Sequence, residues 1–291
     1  MKLKNTLTAA AAGILVLAAG TVLATPAAPK APAAAATVLE YKMPAGRALT
    51  YESRSEQAQV MEVMGQTMDT TTVSTSAFTF KSKGLKDKNF LMGVTIDDLS
   101  ISVTGAQGDM SPDTSAVKGK SFDMVLSPLG AEVDVSGAEA ITYAIATESR
   151  DLSSGFKTFF PDMPGKPVNV GDTWPSSVST TEKTTSMSIR IELQNVNTLE
   201  GFETVDGMEC ARIAAQVTGT INGSGNQMGQ DLTFAGTVKG KDVYYFAVKE
   251  GFYVKAVSDS TAQMSIDVAA AGMSIPVTQT SKSEVKLSKK S

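Results

Sequence analysis

The chain contains no histidine and only one cysteine, Cys210, among its 291 residues. Without histidine, the commonest general base is missing, and serine–histidine pairs, cysteine–histidine pairs and histidine metal sites are excluded. A single cysteine rules out an intramolecular disulfide and leaves too few ligands for a zinc site of the usual kind. We therefore predict no metal, no cofactor and no catalytic residue, and we expect Cys210 to be a buried, inert thiol.

The chain also lacks a basic surplus, because 26 Lys and Arg residues stand against 30 Asp and Glu residues. A mildly acidic chain argues against nucleic acid as a partner. No glycine-rich phosphate loop or dinucleotide fingerprint occurs. Ser154 and Lys157 have the S-x-x-K spacing of penicillin-recognising enzymes, but the partner motifs S-D-N and K-T-G are missing, so we interpret this match as chance.

The first 37 residues are typical of an exported protein. Lys2 and Lys4 precede an apolar run at residues 7–23, which is shorter and richer in alanine than a membrane span. We expect residues 1–24 to be a signal peptide cleaved after Ala24, with an uncleaved anchor as the alternative. Residues 25–37 are almost entirely Ala and Pro and form a linker. The mature protein is then periplasmic or extracellular, with no stable membrane span.

The rest of the chain alternates apolar and polar residues in the period of two that is typical of half-buried strands. In residues 186–193 (SMSIRIEL), every second residue is apolar, from Met187 to Leu193. Turn signals rich in Gly and Asn separate such runs. The pattern predicts a mainly β fold of antiparallel curved sheets or half-barrels, with β regions at residues 38–135 and 166–291. These regions form either one continuous sheet or two packed halves.

A weak internal repeat supports two related halves. Residues 58–78 and 262–285 both indicate a long strand, a turn containing Met and Gly, and a return strand. Residues 217–238 repeat the Met-Gly-Gln of residues 64–66. The irregular spacing excludes a solenoid, and convergent hairpin composition is the alternative explanation.

A connector at residues 136–165 interrupts the β pattern. Ile141 and Ile145 are one helical turn apart, and Ser136 with Glu139 fits a capping box. We therefore predict one or two short helices that end before Pro161.

Four of the 11 prolines and the only tryptophan fall within residues 159–177. Proline forces extended or turned backbone. Gly171 and Asp172 form a turn pair, and we expect Trp174 to bury its ring at the junction. We interpret these three residues as a structural junction, with a ligand-binding loop as the alternative.

Two motifs carry a family resemblance: residues 122–130 (FDMVLSPLG) and residues 168–174 (VNVGDTW). With the signal peptide and the two β regions, the chain resembles a family of exported bacterial proteins of unknown function that share a V-x-V-G-D-T-W-type motif. The resemblance covers most of the mature chain. It implies an envelope or secreted location and a mostly β fold, and it implies no activity. A more distant architectural likeness is to periplasmic lipoprotein carriers, whose curved antiparallel sheets hold acyl chains.

Methionine is abundant, with 14 residues, and Met64, Met68, Met228 and Met264 lie in or near the predicted hairpins. Methionine is flexible and suits surfaces that accommodate varied apolar partners. These four residues are therefore candidate ligand-binding residues in a β cavity. The alternative is that they fill an ordinary core.

Three functional hypotheses follow. The leading one is a non-catalytic envelope protein that binds a lipid-like or other apolar ligand in a β cavity. The alternative is a structural or protein-interaction module of the envelope, without a small-molecule ligand. An enzyme would require a cluster of Asp, Glu, Lys or Tyr in a pocket with shifted pKa values, and nothing in the sequence predicts one.

Overall fold

The structure is a computed structural model that describes residues 36–105, 108–145, 148–227 and 229–291. The predicted signal peptide, most of the linker and Met228 lie outside these residues. The described residues are mainly β, as predicted, and the large sheet curls into a half-barrel. In chain order the strands are β1 (Ala48–Val63), β2 (Gln66–Lys86), β3 (Asn89–Gly105), β4 (Ser121–Leu126), β5 (Glu132–Asp134), β6 (Thr142–Ile145), β7 (Glu148–Asp151), β8 (Thr173–Lys183), β9 (Met187–Val205), β10 (Met208–Gln227), β11 (Gln230–Ala247), β12 (Phe252–Val268) and β13 (Met273–Lys290).

One antiparallel sheet contains eleven of these strands, in the order β5-β4-β3-β2-β1-β13-β12-β11-β10-β9-β8. Its centre is the pairing of β1 with β13, which runs from Leu49 opposite Lys290 to Met61 opposite Val277. The two β regions are therefore joined into one continuous sheet rather than two packed barrels. The edges are β5 and β8.

Alternation decides which side chains face the inside of the half-barrel. On β9, Met187, Ile189 and Ile191 are buried, whereas Ser188 and Arg190 between them are exposed. This confirms the period-two prediction for that segment. Because side chains alternate between the two faces of a strand, a shift of one residue in register would expose the whole apolar set.

The three segments predicted as hairpins are hairpins. The β1–β2 turn consists of Met64 and Gly65, and Gly65 has a φ of 74°. The β12–β13 turn begins with a 3-10 helix at Ala269–Ala271 and ends at Gly272, with a φ of 58°. Glycine adopts these left-handed conformations without a steric penalty. The third hairpin joins β10 to β11.

The connector is less helical than predicted. It has a 3-10 helix at Ser136–Ala140, the two-stranded sheet β6–β7, and one helix, α1, at Ser153–Phe156. The helix prediction is wrong for Ile145, which lies in β6. Residues four apart share a face in a strand as well as in a helix, so their spacing does not distinguish the two. The predicted capping box is not formed, because the 3-10 helix starts after Val135 without a side-chain cap.

The described residues form three apolar clusters, of which the smallest joins Ile101 and Val103 of β3 to Ile145 of β6. The first includes Tyr51, Phe80 and Tyr253 of the sheet, packed with Phe156 and Phe160 of the connector. The rings of Tyr51 and Tyr253 are stacked, with centroids 4.5 Å apart. The second cluster lies toward the hairpin turns. Its larger members include Met61, Ile189, Ile191, Ile221, Phe234, Ile266 and Ile275. The connector therefore covers one end of the inner face.

Candidate functional site

A cavity of about 450 Å³ lies between the inner face of the sheet and the connector. The connector supplies α1 and the residues that follow it, including Phe156 and Phe159. The sheet supplies residues from both β regions, which the β1–β13 pairing brings together. Apolar lining residues include Phe78, Phe156, Phe159, Leu193, Val217 and Val285.

A row of small polar side chains crosses the sheet at the cavity. On β1, the inner face changes from Tyr51 to Ser53 and Ser55, and returns to apolar character at Met61. The pairing register continues this row onto neighbouring strands. We call it the polar belt, and its members that line the cavity are Ser53, Ser55, Gln57, Ser74, Ser76, Ser258 and Ser283.

The polar belt explains why the space exists. The hydroxyl oxygens of Ser53 and Ser76 are 2.7 Å apart, and those of Ser55 and Ser74 are 2.8 Å apart. Within each pair one hydroxyl donates to the other, which meets part of the hydrogen-bonding demand of these four serines. Serine is also too small to fill the interior of the half-barrel. The belt therefore leaves volume between the sheet and the connector.

Three carboxyl groups line the same cavity: Glu132 on β5, Asp162 in the connector and Asp242 on β11. Burial raises the pKa of Glu132 to about 8, that of Asp242 to about 7 and that of Asp162 to about 6. The Glu132 residue as a whole is half-buried, but protein surrounds its carboxyl group, and this local burial raises the pKa of that group. Burial removes water that would stabilise the charged form, so a proton is held more tightly.

Neutral donors hold these carboxyl groups in place. The Phe160 amide donates to Oε1 of Glu132 over 2.8 Å. The Tyr244 hydroxyl donates to Oδ2 of Asp242 over 2.6 Å, and burial together with Asp242 raises the tyrosine pKa well above its usual value. Lys157 is the one basic side chain among the described residues that line the cavity. No described group of three His, Cys, Asp or Glu side chains is arranged to hold a metal ion.

The described candidate methionines lie away from this cavity. Met64 is 69% exposed in the β1–β2 turn. Met264 is buried in the second apolar cluster, and Met68 packs against that cluster half-buried. None of the three is among the residues that line the cavity. Ligand binding by Met64, Met68 and Met264 stays a prediction, and Met228 lies outside the described residues.

The residues interpreted as a junction lie beside the site. The Gly171 amide donates to the Leu199 carbonyl over 2.7 Å, and Gly171 has a φ of 93°. Oδ2 of Asp172 accepts from the Asn169 amide over 2.8 Å. Trp174 is buried and its indole nitrogen donates to the Asp162 carbonyl over 3.0 Å. Trp174 thus anchors the segment that carries a cavity carboxyl group.

Sequence reasoning missed the carboxyl cluster. Glu132, Asp162 and Asp242 come from three distant segments, and each is ordinary in its local context. The sequence contained one indication. Asp242 is two residues before Tyr244 and four before Phe246, so on a strand all three lie on the same face, and an inward-facing carboxylate could have been predicted. The pairing of distant strands that assembles the cluster leaves no local pattern.

The fold and cavity define a class: an antiparallel half-barrel with a partly open cavity between its inner face and the connector. No family model and no curated protein matches the chain. Similar solved structures include an exported protein with a YmcC-like fold from Bacteroides fragilis, at 7% identity, a TM-score of 0.26 and coverage of 87% of this chain and 99% of that one.

Two further structures are similar at the same low level. An outer membrane channel from Pseudomonas putida has 11% identity and a TM-score of 0.27, covering 85% of this chain and 97% of that one. A DUF1329 family protein from Desulfovibrio piger has 10% identity and a TM-score of 0.18, covering 82% and 84%. These likenesses are too weak to show what the chain does. The described part of the chain has no helix with the length and hydropathy needed to cross a membrane.

Proposed function

We propose that the chain is an exported, non-catalytic binding protein of the cell envelope that holds a lipid-like ligand in the half-barrel cavity. The observation that carries this proposal is the cavity of about 450 Å³ between the polar belt and the aromatic connector. Its volume lies within the roughly 300–1,000 Å³ range of small-molecule sites. Export rests on the signal-peptide pattern of residues 1–24.

A simple packing defect is a poor explanation for this space. A sealed apolar void costs about 24 cal/mol per Å³, so a sealed apolar cavity of this size would cost about 11 kcal/mol, and this cavity lowers that cost by being partly open and partly polar. That is comparable with the whole stability of a typical domain, about 5–15 kcal/mol. The polar belt reduces this cost by admitting water. A space that combines a wettable floor with aromatic walls suits a ligand with an apolar body and a polar end.

The test is native mass spectrometry of residues 25–291, purified from a bacterial periplasm without detergent, followed by solvent extraction. We expect a bound mass in the native protein. Ser55→Phe, which fills the cavity, should remove it, whereas Ser188→Phe on the exposed face of β9 should not. Unchanged circular dichroism would show that both variants fold.

Two results would contradict the proposal. A ligand-free native protein that also takes up no added lipid would exclude the binding function. An extracted ligand that is chemically converted on incubation with fresh protein would exclude the non-catalytic part.

The second candidate function, a protein-interaction module, is favoured by β8. This strand is an edge of the sheet, and within the described residues it pairs with β9 alone. An open edge can accept a strand from a partner. Pro175 limits the pairing near one end, because proline has no amide to donate. A photo-crosslinking residue at Ser179, compared with one at Ser188, would give a specific envelope adduct if β8 is an interface.

A further inference from the structure

The three cavity carboxyl groups all raise the pKa of the same side chain, Tyr244. Burial is the main cause of the raised pKa of Glu132, and the charge of Asp162 raises it further. Both also raise the pKa of Tyr244, which donates its hydroxyl hydrogen bond to Asp242. Glu132, Asp162, Asp242 and Tyr244 all line the same cavity.

The cavity offers these carboxyl groups few basic partners, because Lys157 is the one basic side chain among the described residues that line it. Within the described residues, no ion pair joins Glu132, Asp162 or Asp242 to a lysine or arginine. Their known hydrogen-bond donors are neutral: the Phe160 amide, hydroxyl groups and other backbone amides. Ionised carboxylates buried without a cation are costly, and a well-placed opposite charge offsets that cost.

A second observation also indicates an occupant that forms hydrogen bonds. Two residues of the cavity wall, Thr158 and Asn195, have buried side-chain oxygens without a hydrogen-bond partner among the described residues. Buried polar atoms normally have partners, and each exception calls for an explanation. The Asn195 oxygen can only accept and therefore favours a ligand that brings a donor, whereas the Thr158 hydroxyl can donate or accept. The opposite wall is aromatic, with Phe156 and Phe159, and suits an apolar body.

We infer that the ligand is a cationic amphiphile: an apolar chain that ends in an amine, whose ammonium group binds among the carboxyl groups of Glu132, Asp162 and Asp242. This inference rests on the proposed function and names its ligand class. An ammonium supplies both the missing positive charge and up to three hydrogen-bond donors. A neutral head leaves the carboxyl groups unpaired, and an anionic head is repelled by them.

The experiment compares three probes that share one alkyl chain: dodecylammonium, dodecanol and dodecanoate. Affinities for the mature protein are measured by isothermal titration calorimetry at pH 7.5, below the micelle-forming concentration. We expect dodecylammonium to bind at least tenfold more tightly than dodecanol, and dodecanoate to bind most weakly. Dodecylammonium affinity should rise from pH 5.5 to pH 8.5, because protons compete with it for the carboxyl groups. Dodecanol affinity should stay constant.

Variants assign the effect to the cavity. Asp162→Asn with Asp242→Asn should reduce the preference for dodecylammonium over dodecanol, measured as the ratio of the two affinities, at least tenfold. Glu62→Gln, which removes an exposed carboxyl group from the outer face of β1, is the matched control and should keep the preference. If the double variant does not fold, Asp162→Asn alone replaces it, because Asp162 is less buried than Asp242.

The outcomes separate the two proposals. Equal binding of all three probes would overturn the cationic inference and leave the binding function standing. A preference that survives the Asp-to-Asn changes would overturn the assignment to these carboxyl groups. Failure of every probe to bind would overturn both proposals.

Discussion

Asp242 should make the stability of the protein depend on pH in a direction opposite to that of most carboxylates. Burial raises its pKa from 3.8 to about 7 in the folded state, where it is bonded to Tyr244 and Ser258. Between these two values the folded state holds a proton that the unfolded state has released. The free energy of unfolding therefore falls as the pH rises, by about 1.4 kcal/mol per pH unit.

Over the roughly three units between the two pKa values, this loss amounts to about 4 kcal/mol. Asp242→Asn keeps an oxygen that accepts from Tyr244 but cannot ionise. We expect the variant to match the native protein near pH 4 and to gain on it by up to about 4 kcal/mol by pH 8. The assay is urea denaturation followed by circular dichroism at half-unit steps from pH 4 to pH 8.

The control is Glu62→Gln, which removes an exposed carboxyl group on the outer face of the same sheet. Its stability difference from the native protein should change little over this range. If the difference between Asp242→Asn and the native protein also stays constant within about 1 kcal/mol, burial does not hold a proton on Asp242. The pH-dependent part of the cationic-ligand inference would then lose its support.

Three further predictions concern packing and reactivity. Gly236→Ala should destabilise the protein by about 1–3 kcal/mol in urea titrations, because a Cβ there would lie 2.5 Å from Cβ of Met264. The control, Gly201→Ala, has open space around the new Cβ and should be nearly neutral in the same titrations. Trp174→Phe should cost about 1–2 kcal/mol through the lost bond to the Asp162 carbonyl, and a melting temperature equal to that of the native protein would contradict this. Cys210 is buried and burial raises its pKa to about 11, so it should react with a thiol reagent only after unfolding; rapid labelling of the native protein would refute an inert thiol.

The sequence predicts the strands well because burial on one face leaves a local period of two. Met187, Ile189 and Ile191 show it, and the turn at Met64 and Gly65 was also recognisable. The connector shows the limit of such reasoning. A spacing of four, as between Ile141 and Ile145, fits both a helix and a strand, and the pairing of β6 with β7 decides between them.

The candidate site was less predictable. Methionines attract attention because their chemistry is distinctive, yet Met64 is exposed and Met264 packs in the second apolar cluster. The cavity instead depends on serines such as Ser55, which leave space because they are smaller than the side chains around them. This difference in size can be recognised only when the register of the neighbouring strands is known. Glu132 and Asp242 likewise acquire their unusual proton affinity from burial, which residue identity alone does not encode.

The pairing of β1 with β13 has a consequence for how the protein folds. The seam at the centre of the sheet joins residues that lie more than 200 positions apart in the sequence, from Leu49 with Lys290 to Met61 with Val277. Closing so long a loop is entropically costly, and contacts this distant in sequence slow folding. Until β13 is in place, β1 is paired with β2 alone and its other edge stays open. A strand order of this kind therefore predicts slow folding, limited by the pairing of β1 with β13.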